Sequence, residues 1–424
     1  MPGSLAVIGA GWAGLAAAVE AVKAGWSVTL FEMAEQAGGR ARDVPDEHLV
    51  LDNGQHILIG AYVETLRLMR EVGVDSQTVL LRTPLRLTEP DGRGLHLPPG
   101  SPLVAFALAT WRRQGWTLGE RVALLAAAGG WALRGFRCPA DWTVGRLTRT
   151  LPEALRRDLI DPLCVAALNT PASEASATVF LRVLRDALFS GPGSADLLLP
   201  RASLGELFPV PALAWLRARG AVIRPSTRVQ RLQPLGAQWQ VDDEPFDAVV
   251  LATPPAEAAR LTATAAPTWS AEATAFRYEP IVTVYVDAGA TRLPEPMLAL
   301  PPAPNAPAQF VFDRGQLGGP TGLLAFVISG AQPWVDAGRD ATLDATLAQA
   351  REALRAHLRG DLRPIRLIAE KRATFRCVPE LMRPPAAIAP RLVAAADYVA
   401  GPYPATIEGA VRSAVQAVAL LQVS

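Results

Sequence analysis

The chain is short of lysine, cysteine and net charge, and the last two shortages each remove a class of function. Of 41 basic residues only Lys23 and Lys371 are lysines, a bias that, with abundant Arg, Ala, Pro and Gly, reads as the imprint of a GC-rich genome. The 41 basic and 40 acidic side chains nearly cancel, so no global field gathers nucleic acid and none is expected as a partner. Three cysteines, Cys138, Cys164 and Cys377, lie far apart without metal-ligand spacing, so no metal site is expected and a reducing compartment fits. No uncharged apolar run reaches the roughly 18–20 residues that cross a bilayer. The nearest, residues 122–133, is closed by Arg121 and Arg134. No basic leader precedes the first apolar segment, so the expectation is a cytoplasmic protein without a cleaved signal peptide. The 424 residues, half of them hydrophobic and 19% charged, suffice for two domains or one elaborated one.

What is present begins at once. Leu5-Ala-Val-Ile is a short strand-type run, followed by Gly9-Ala-Gly-Trp-Ala-Gly14, a helical pattern ending at Gly25, and a second strand over residues 27–32. Gly9 allows the tight turn, Gly11 lets the backbone approach a pyrophosphate, and Gly14 permits helix and strand to pack closely. The helix N-terminus offers unpaired amides to phosphate. Glu32, 18 residues after Gly14, stands where a carboxylate accepts hydrogen bonds from an adenosine ribose. Gly9, Gly11, Trp12, Ala13, Gly14 and Glu32 are therefore expected at a dinucleotide.

Just beyond lies Gln36-Ala-Gly-Gly39-Arg40-Ala-Arg42, which resembles the second fingerprint of the flavin amine oxidoreductase superfamily. That resemblance makes FAD the expected cofactor, with Gly39, Arg40 and Arg42 lining it. Asp52-Asn-Gly-Gln-His56 is similar to the segment of carotenoid desaturase-like enzymes that passes the flavin. His56 is either a catalytic acid, as its pKa would allow, or a hydrogen-bonded structural histidine. Residues 221–224 and 227–231 read as two strands returning to the FAD domain, where the resemblance implies an adenine contact near Val229. Residues 246–253, ended by Pro254-Pro255, form an apolar strand of parallel-sheet type. Near the C-terminus, a strand over 392–396 leads to Asp397, then Gly401-Pro-Tyr403-Pro404 and a helix over 405–423. This resembles the superfamily's closing motif: an acid on the ribityl–phosphate chain, then a helix N-terminus (Thr406, Ile407) aimed at the isoalloxazine, whose reduced form is negatively charged.

The fold expected is α/β, a Rossmann-type FAD-binding domain with an inserted α+β substrate domain. The first is assembled from residues 1–80, 205–260 and 370–424, the second from 81–204 and 261–369. Residues 294–307, rich in proline, read as a loop. Residues 101–136 mix Trp111, Trp116 and Trp131 with Arg112, Arg113, Arg121, Arg134 and Arg137. Two readings fit: a peripheral membrane contact at the cytoplasmic face, or buried helices with arginine at their ends.

The central block narrows the family. Asp141-Trp142, the run Pro162-Leu-Cys-Val-Ala-Ala-Leu-Asn169-Thr170-Pro171, Arg185-Asp186, Leu198-Leu-Pro200 and Leu207-Phe-Pro209 resemble the squalene-associated, FAD-dependent hydroxysqualene dehydroxylases of bacterial hopanoid pathways, over essentially the whole chain. The resemblance implies reductive loss of the allylic hydroxyl of hydroxysqualene, giving squalene and water. It leaves the electron donor to the flavin unidentified. His56, Asp52 and Tyr403 are the candidate acids, from motif position. Competing readings are a carotenoid or phytoene desaturase-type enzyme, an amine oxidase, and a non-catalytic lipid chaperone of the same fold. Intact Glu32, Arg40 and Asp397 speak against the last.

Overall fold

The strand-type runs become a six-stranded sheet built from distant parts of the chain. In the computed structural model, which describes residues 3–46, 49–301, 303 and 305–423, its strands are β1 (Ser4–Ile8), β2 (Ser27–Phe31), β3 (Val222–Arg224), β4 (Ala248–Leu251), β5 (Ala387–Ala389) and β6 (Leu392–Ala394). Their spatial order is β3-β2-β1-β4-β6-β5. All neighbours are parallel except the edge pair β6 and β5. Residues Leu5 to Ile8 and the whole of β4 are buried, as a sheet covered on both faces requires.

Six helices matter here: α1 (Trp12–Lys23), α2 (Val63–Glu71), α3 (Pro102–Arg112), α4 (Leu118–Leu133), α5 (Ala177–Phe189) and α6 (Ile407–Val423). Small residues Ala16, Ala17, Ala18 and Ala21 on α1 are completely buried, so the helix lies close to the sheet and to α6. Leu15, Val19, Val411, Ala414 and Val418 share that core. Glu408, in the first turn of α6, is fully buried and caps α2. Its carboxylate accepts from the Thr65 amide (2.9 Å) and hydroxyl (2.7 Å) and from the Glu64 amide (3.2 Å), and pairs with Arg412 (2.7 Å). An anion at unpaired helix N-terminal amides satisfies them and complements the helix dipole.

A second, antiparallel sheet of five strands orders Met297–Ala299, Phe310–Asp313, Leu323–Ile328, Tyr278–Asp287 and Arg363–Phe375. The last strand runs through the boundary expected at 370. Leu197–Pro200 pairs with both Leu58–Ile59 and Leu80–Thr83, so segments assigned to different domains share a small sheet. Local pattern marks elements, but which segments share a sheet depends on long-range pairing.

Four local expectations are corrected. Residues 227–231 are not a strand: the Thr227 amide bonds Glu32 O, and those of Gln230 and Arg231 bond Asp242 Oδ1. The proline-rich segment contains the strand Met297–Ala299, paired with Phe310–Asp313; its Pro302 and Pro304 lie outside the described residues. The last strand stops at Ala394, and the final helix starts at Ile407, because the Thr406 hydroxyl takes the Gly409 amide at 2.9 Å as an N-cap.

Candidate active site

The carboxyl ends of β1, β2 and β4, and the chain beyond β6, present Gly9, Glu32, Thr253 and Asp397 along one edge, where parallel α/β sheets bind ligands. Gly9 has φ +104, and a Cβ there would overlap Ala252 O. A Cβ on Gly14 would overlap the carbonyl of Gly9. Glycine is thus required at both positions by the protein itself. Gly11 is different: nothing lies nearer a Cβ there than Gly39 Cα at 3.9 Å. The space between the two glycine turns is a cradle that only a missing side chain keeps open. The turns are held together by the Gly38 amide on Ala10 O (2.8 Å).

The donor set fits FAD. Helix α1 begins at Gly11 without a side-chain cap and without an acidic residue in its first turn, which leaves its amides for a phosphate. Glu32 accepts from the Ala10 amide (2.6 Å) and the Ala34 amide (2.8 Å), one on each oxygen. It fastens the glycine turn to the end of β2 and keeps a second lone pair on each oxygen for ribose hydroxyls. The Thr253 hydroxyl, at the end of β4, is buried with no partner, a polar group that calls for a ligand atom or water.

Arg40, Asp397, His56, Asn53 and Glu370 meet although up to 357 positions separate them. Arg40 donates to Asp397 Oδ1 (2.6 Å) and to the Ala373 carbonyl (2.8 Å). Asn53 Nδ2 donates to Arg40 O (2.9 Å) and Glu370 Oε2 (3.1 Å). His56 Nδ1 lies 3.3 Å from Gly54 O; a carbonyl only accepts, so Nδ1 carries the proton and Nε2 is the titrating face. Burial, with the charge of Arg40 behind it, lowers the His56 pKa against the opposing pull of Gly54 O and Glu370. Beside Gly54, the Thr283 hydroxyl is buried and unpartnered.

Other expected site residues are placed differently. Trp12 is in the core: its indole donates to Ala41 O (3.0 Å) and its ring packs on Phe208, so only its backbone faces the cradle. Arg42 folds back onto Gly39 O (2.6 Å) and braces its own turn. Val229 is buried, and its carbonyl accepts from Arg260 (2.7 Å). Tyr403 bonds Asp186 and lies between the guanidinia of Arg182 and Arg412. Burial and Asp186 raise its pKa, and its side chain engages α5 rather than the His56 cluster.

Asp52 points away from that cluster. Its Oδ1 accepts from the Leu204 amide (2.9 Å), at the start of the short helix Leu204–Leu207, while Oδ2 lies 3.7 Å from Arg314. Tyr285 donates to its carbonyl (2.9 Å), and Gln55 joins Tyr285 to Arg314. Burial pushes the Asp52 carboxyl up to about 6, beyond what Leu204 and Arg314 offset. A raised acid pKa means the folded state holds its proton more tightly than the unfolded chain. Stability from this group is therefore greatest below about pH 4 and falls as pH rises to about 6, by up to about 3 kcal/mol. Asp52→Asn should keep its flavin and be no less stable than wild type at pH 8. The wild-type minus variant difference in melting temperature should change across pH 4–6. A flat difference would show that Asp52 does not titrate there.

Sequence reasoning missed Glu370, Tyr285, Arg314 and Thr283, which reach the site from the antiparallel sheet or its edge and carry no local motif. It did single out Asn169 and Thr170, and these prove to be a clamp. Asn169, at φ +44 after its helix, donates to Glu279 O (3.1 Å) and the Thr374 hydroxyl (2.9 Å) and accepts from the Gly330 amide (2.7 Å). The Thr170 hydroxyl accepts from the Cys377 amide. The block ties one helix to two strands and a turn.

A glycine cradle, a carboxylate at the end of β2 and an arginine–aspartate pair on one Rossmann-type edge fit a flavoprotein oxidoreductase that takes FAD. A family model for flavin containing amine oxidoreductase matches residues 12–422. The chain is 30% identical over 438 residues to hydroxysqualene dehydroxylase of Sinorhizobium fredii, with 97% of each covered. It is 30% identical over 436 residues to the enzyme so named in Rhodopseudomonas palustris, covering 96% of this chain and 95% of the relative. An oxidoreductase from Methanosarcina mazei shares the fold, with TM-score 0.74 and 16% identity over 97% of this chain and 99% of that one. The chain belongs to the hydroxysqualene dehydroxylase family within the flavin-containing amine oxidoreductases.

Proposed function

We propose that this chain is an FAD-dependent hydroxysqualene dehydroxylase that converts hydroxysqualene to squalene. The observation that carries the reading is full-length similarity to two enzymes of that name in a chain whose FAD cradle is intact. Replacing a C–OH by C–H takes one hydride to carbon and one proton to the departing hydroxyl, which leaves as water. FAD, when bound and reduced, supplies the hydride. Gly11, Gly39, Glu32, Arg40 and Asp397 are the residues that would hold it.

The proton is the protein's task, and His56 is the residue we assign to it. Gly54 O orients the ring through Nδ1, leaving Nε2 to donate. Because burial lowers its pKa, the donating cation fills only at pH below the ordinary 6.5 or so. Asp52 and Tyr403 are already committed, to Leu204 and Arg314 and to Asp186, which favours His56 over them.

Anaerobic incubation of the flavin-reduced protein with hydroxysqualene should give squalene and oxidised flavin in equal amounts. The rate should rise as pH is lowered through and below 6.5. His56→Gln should keep its flavin, lose that pH dependence and turn over at least about a hundredfold more slowly. Desaturation of phytoene without squalene formation would make the protein a carotenoid-type desaturase. Purified protein without flavin would make it a lipid carrier. Normal turnover by His56→Gln at every pH would remove His56 from the mechanism.

A further inference from the structure

The helix pair α3 and α4 has two apolar faces, and the fold uses one. Ala105, Ala109, Leu124, Trp116 and Trp131 are buried in the core beneath it. The other face is open. Of the fifteen large hydrophobic side chains exposed among the described residues, seven fall within residues 103–133. Leu103, Val104, Leu108 and Trp111 follow one side of α3, and Leu118, Val122 and Leu133 mark α4. On α4 the exposed positions 118, 122, 126, 129 and 133 recur at intervals of four or three, one unbroken helical stripe. Leu133 is 91% exposed. Such a concentration on a chain of balanced composition marks a contact surface.

Charge identifies the occupant. Residues 101–137 carry five arginines and one acid, Glu120, a net +4 by subtraction. Arg113 is committed to Glu89, and Glu120 to the Thr117 cap of α4. Arg112, Arg134 and Arg137 are exposed at the ends of the apolar stripe. Pairing two copies through this face would bring arginine against arginine. A surface that is apolar at its centre and negative at its head groups complements it. No helix of the described residues is long and apolar enough to cross a membrane, so the pair would lie along the interface rather than span it.

We propose that α3 and α4 dock the protein on an anionic phospholipid bilayer, with the stripe from Leu103 to Leu133 in the acyl boundary and Arg112, Arg134 and Arg137 at the head groups. The docking stands on this geometry alone. Its purpose, access to a C30 hydrocarbon dissolved in the bilayer, rests on the proposed substrate.

The flavin-loaded protein should sediment with vesicles of phosphatidylcholine and phosphatidylglycerol, much less with phosphatidylcholine alone, and progressively less as salt is raised. Leu108→Glu with Val122→Glu should lower the partition coefficient at least tenfold. Arg112→Gln, Arg134→Gln and Arg137→Gln together should lower it on the order of fivefold per arginine. Flavin absorbance should be unchanged in both sets, which shows that they fold. The proposal is overturned if the wild type stays in solution with both vesicle types, or if flavin-loaded variants sediment as it does. It is also overturned if gel filtration shows a dimer that the Leu108 and Val122 changes dissociate, for then a second copy covers the face. Sedimentation requires no turnover. Vesicle binding without squalene formation would leave the docking in place and remove the substrate reading.

Discussion

Gly14→Val should emerge from purification without flavin and with reduced stability. A Cβ at Gly14 overlaps Gly9 O and crowds the Ala252 side chain. The first obstacle is backbone, so no flexible group can yield. Helix α1 must move off β1, at an overpacking cost of about 1–3 kcal/mol. Its N-terminal amides then leave the place from which they would meet a pyrophosphate. We expect FAD affinity to fall at least about a hundredfold, by loss of the phosphate contacts and of the preorganised turn. Gly11→Ala separates the two effects. The nearest atom to its Cβ is 3.9 Å away, so the apoprotein should melt as wild-type apoprotein does, while the methyl occupies the cradle and weakens FAD. The flavin-to-protein absorbance ratio and apoprotein melting curves read both. A Gly11→Ala protein with a full complement of flavin would show that the pyrophosphate does not approach between the two turns.

Glu408→Ala should be the most destabilising single change outside the cofactor site, at about 3–5 kcal/mol in urea unfolding. The carboxylate is fully buried and serves two amides, a hydroxyl and Arg412. Its removal leaves the first turn of α2 uncapped and Arg412 without its buried partner. Glu408→Gln keeps an acceptor for α2 but loses the charge, so it should cost roughly 1–3 kcal/mol. Because Glu408 adjoins the Thr406 cap at the start of α6, both variants should also hold flavin less tightly. A cost below about 1 kcal/mol for the alanine variant would mean that water replaces the carboxylate and the cap is dispensable.

The cofactor half of the site was legible because its signals are local. Gly9, Gly14 and Gly38 are dictated by turn conformation and by backbones that touch within one βαβ unit, so their spacing along the chain carries the information. Glu32 is legible for the same reason, standing at the end of the next strand. The acid half was only partly legible. The run Asp52 to His56 attracts notice, but Asp52, at the end of its strand, turns toward Leu204, and Asn53, just past it, toward Arg40 and Glu370. No motif distinguishes those two directions.

Of the two readings of the tryptophan- and arginine-rich helices, the buried one holds for part of the segment. Trp116 and Trp131 are core residues, whereas Trp111 and the stripe ending at Leu133 are exposed. Composition counts apolar residues around a helix without saying which face meets the protein. The Asn169–Thr170 block taught the converse. A conspicuous motif turned out to hold two strands, a helix and a turn together, with its polar atoms satisfied inside the fold.

By itself the sequence determined the Rossmann-type unit, FAD as the cofactor and the family, since each depends on residues close together in the chain or on similarity along its whole length. Only the tertiary structure decided that His56 lies in the Arg40 cluster while Asp52 and Tyr403 bond elsewhere, and which side of α3 and α4 stays open. Those outcomes depend on partners such as Glu370 for Asn53, 317 positions apart. Such partners become neighbours only when the parallel and antiparallel sheets pack together, and no local spacing encodes that.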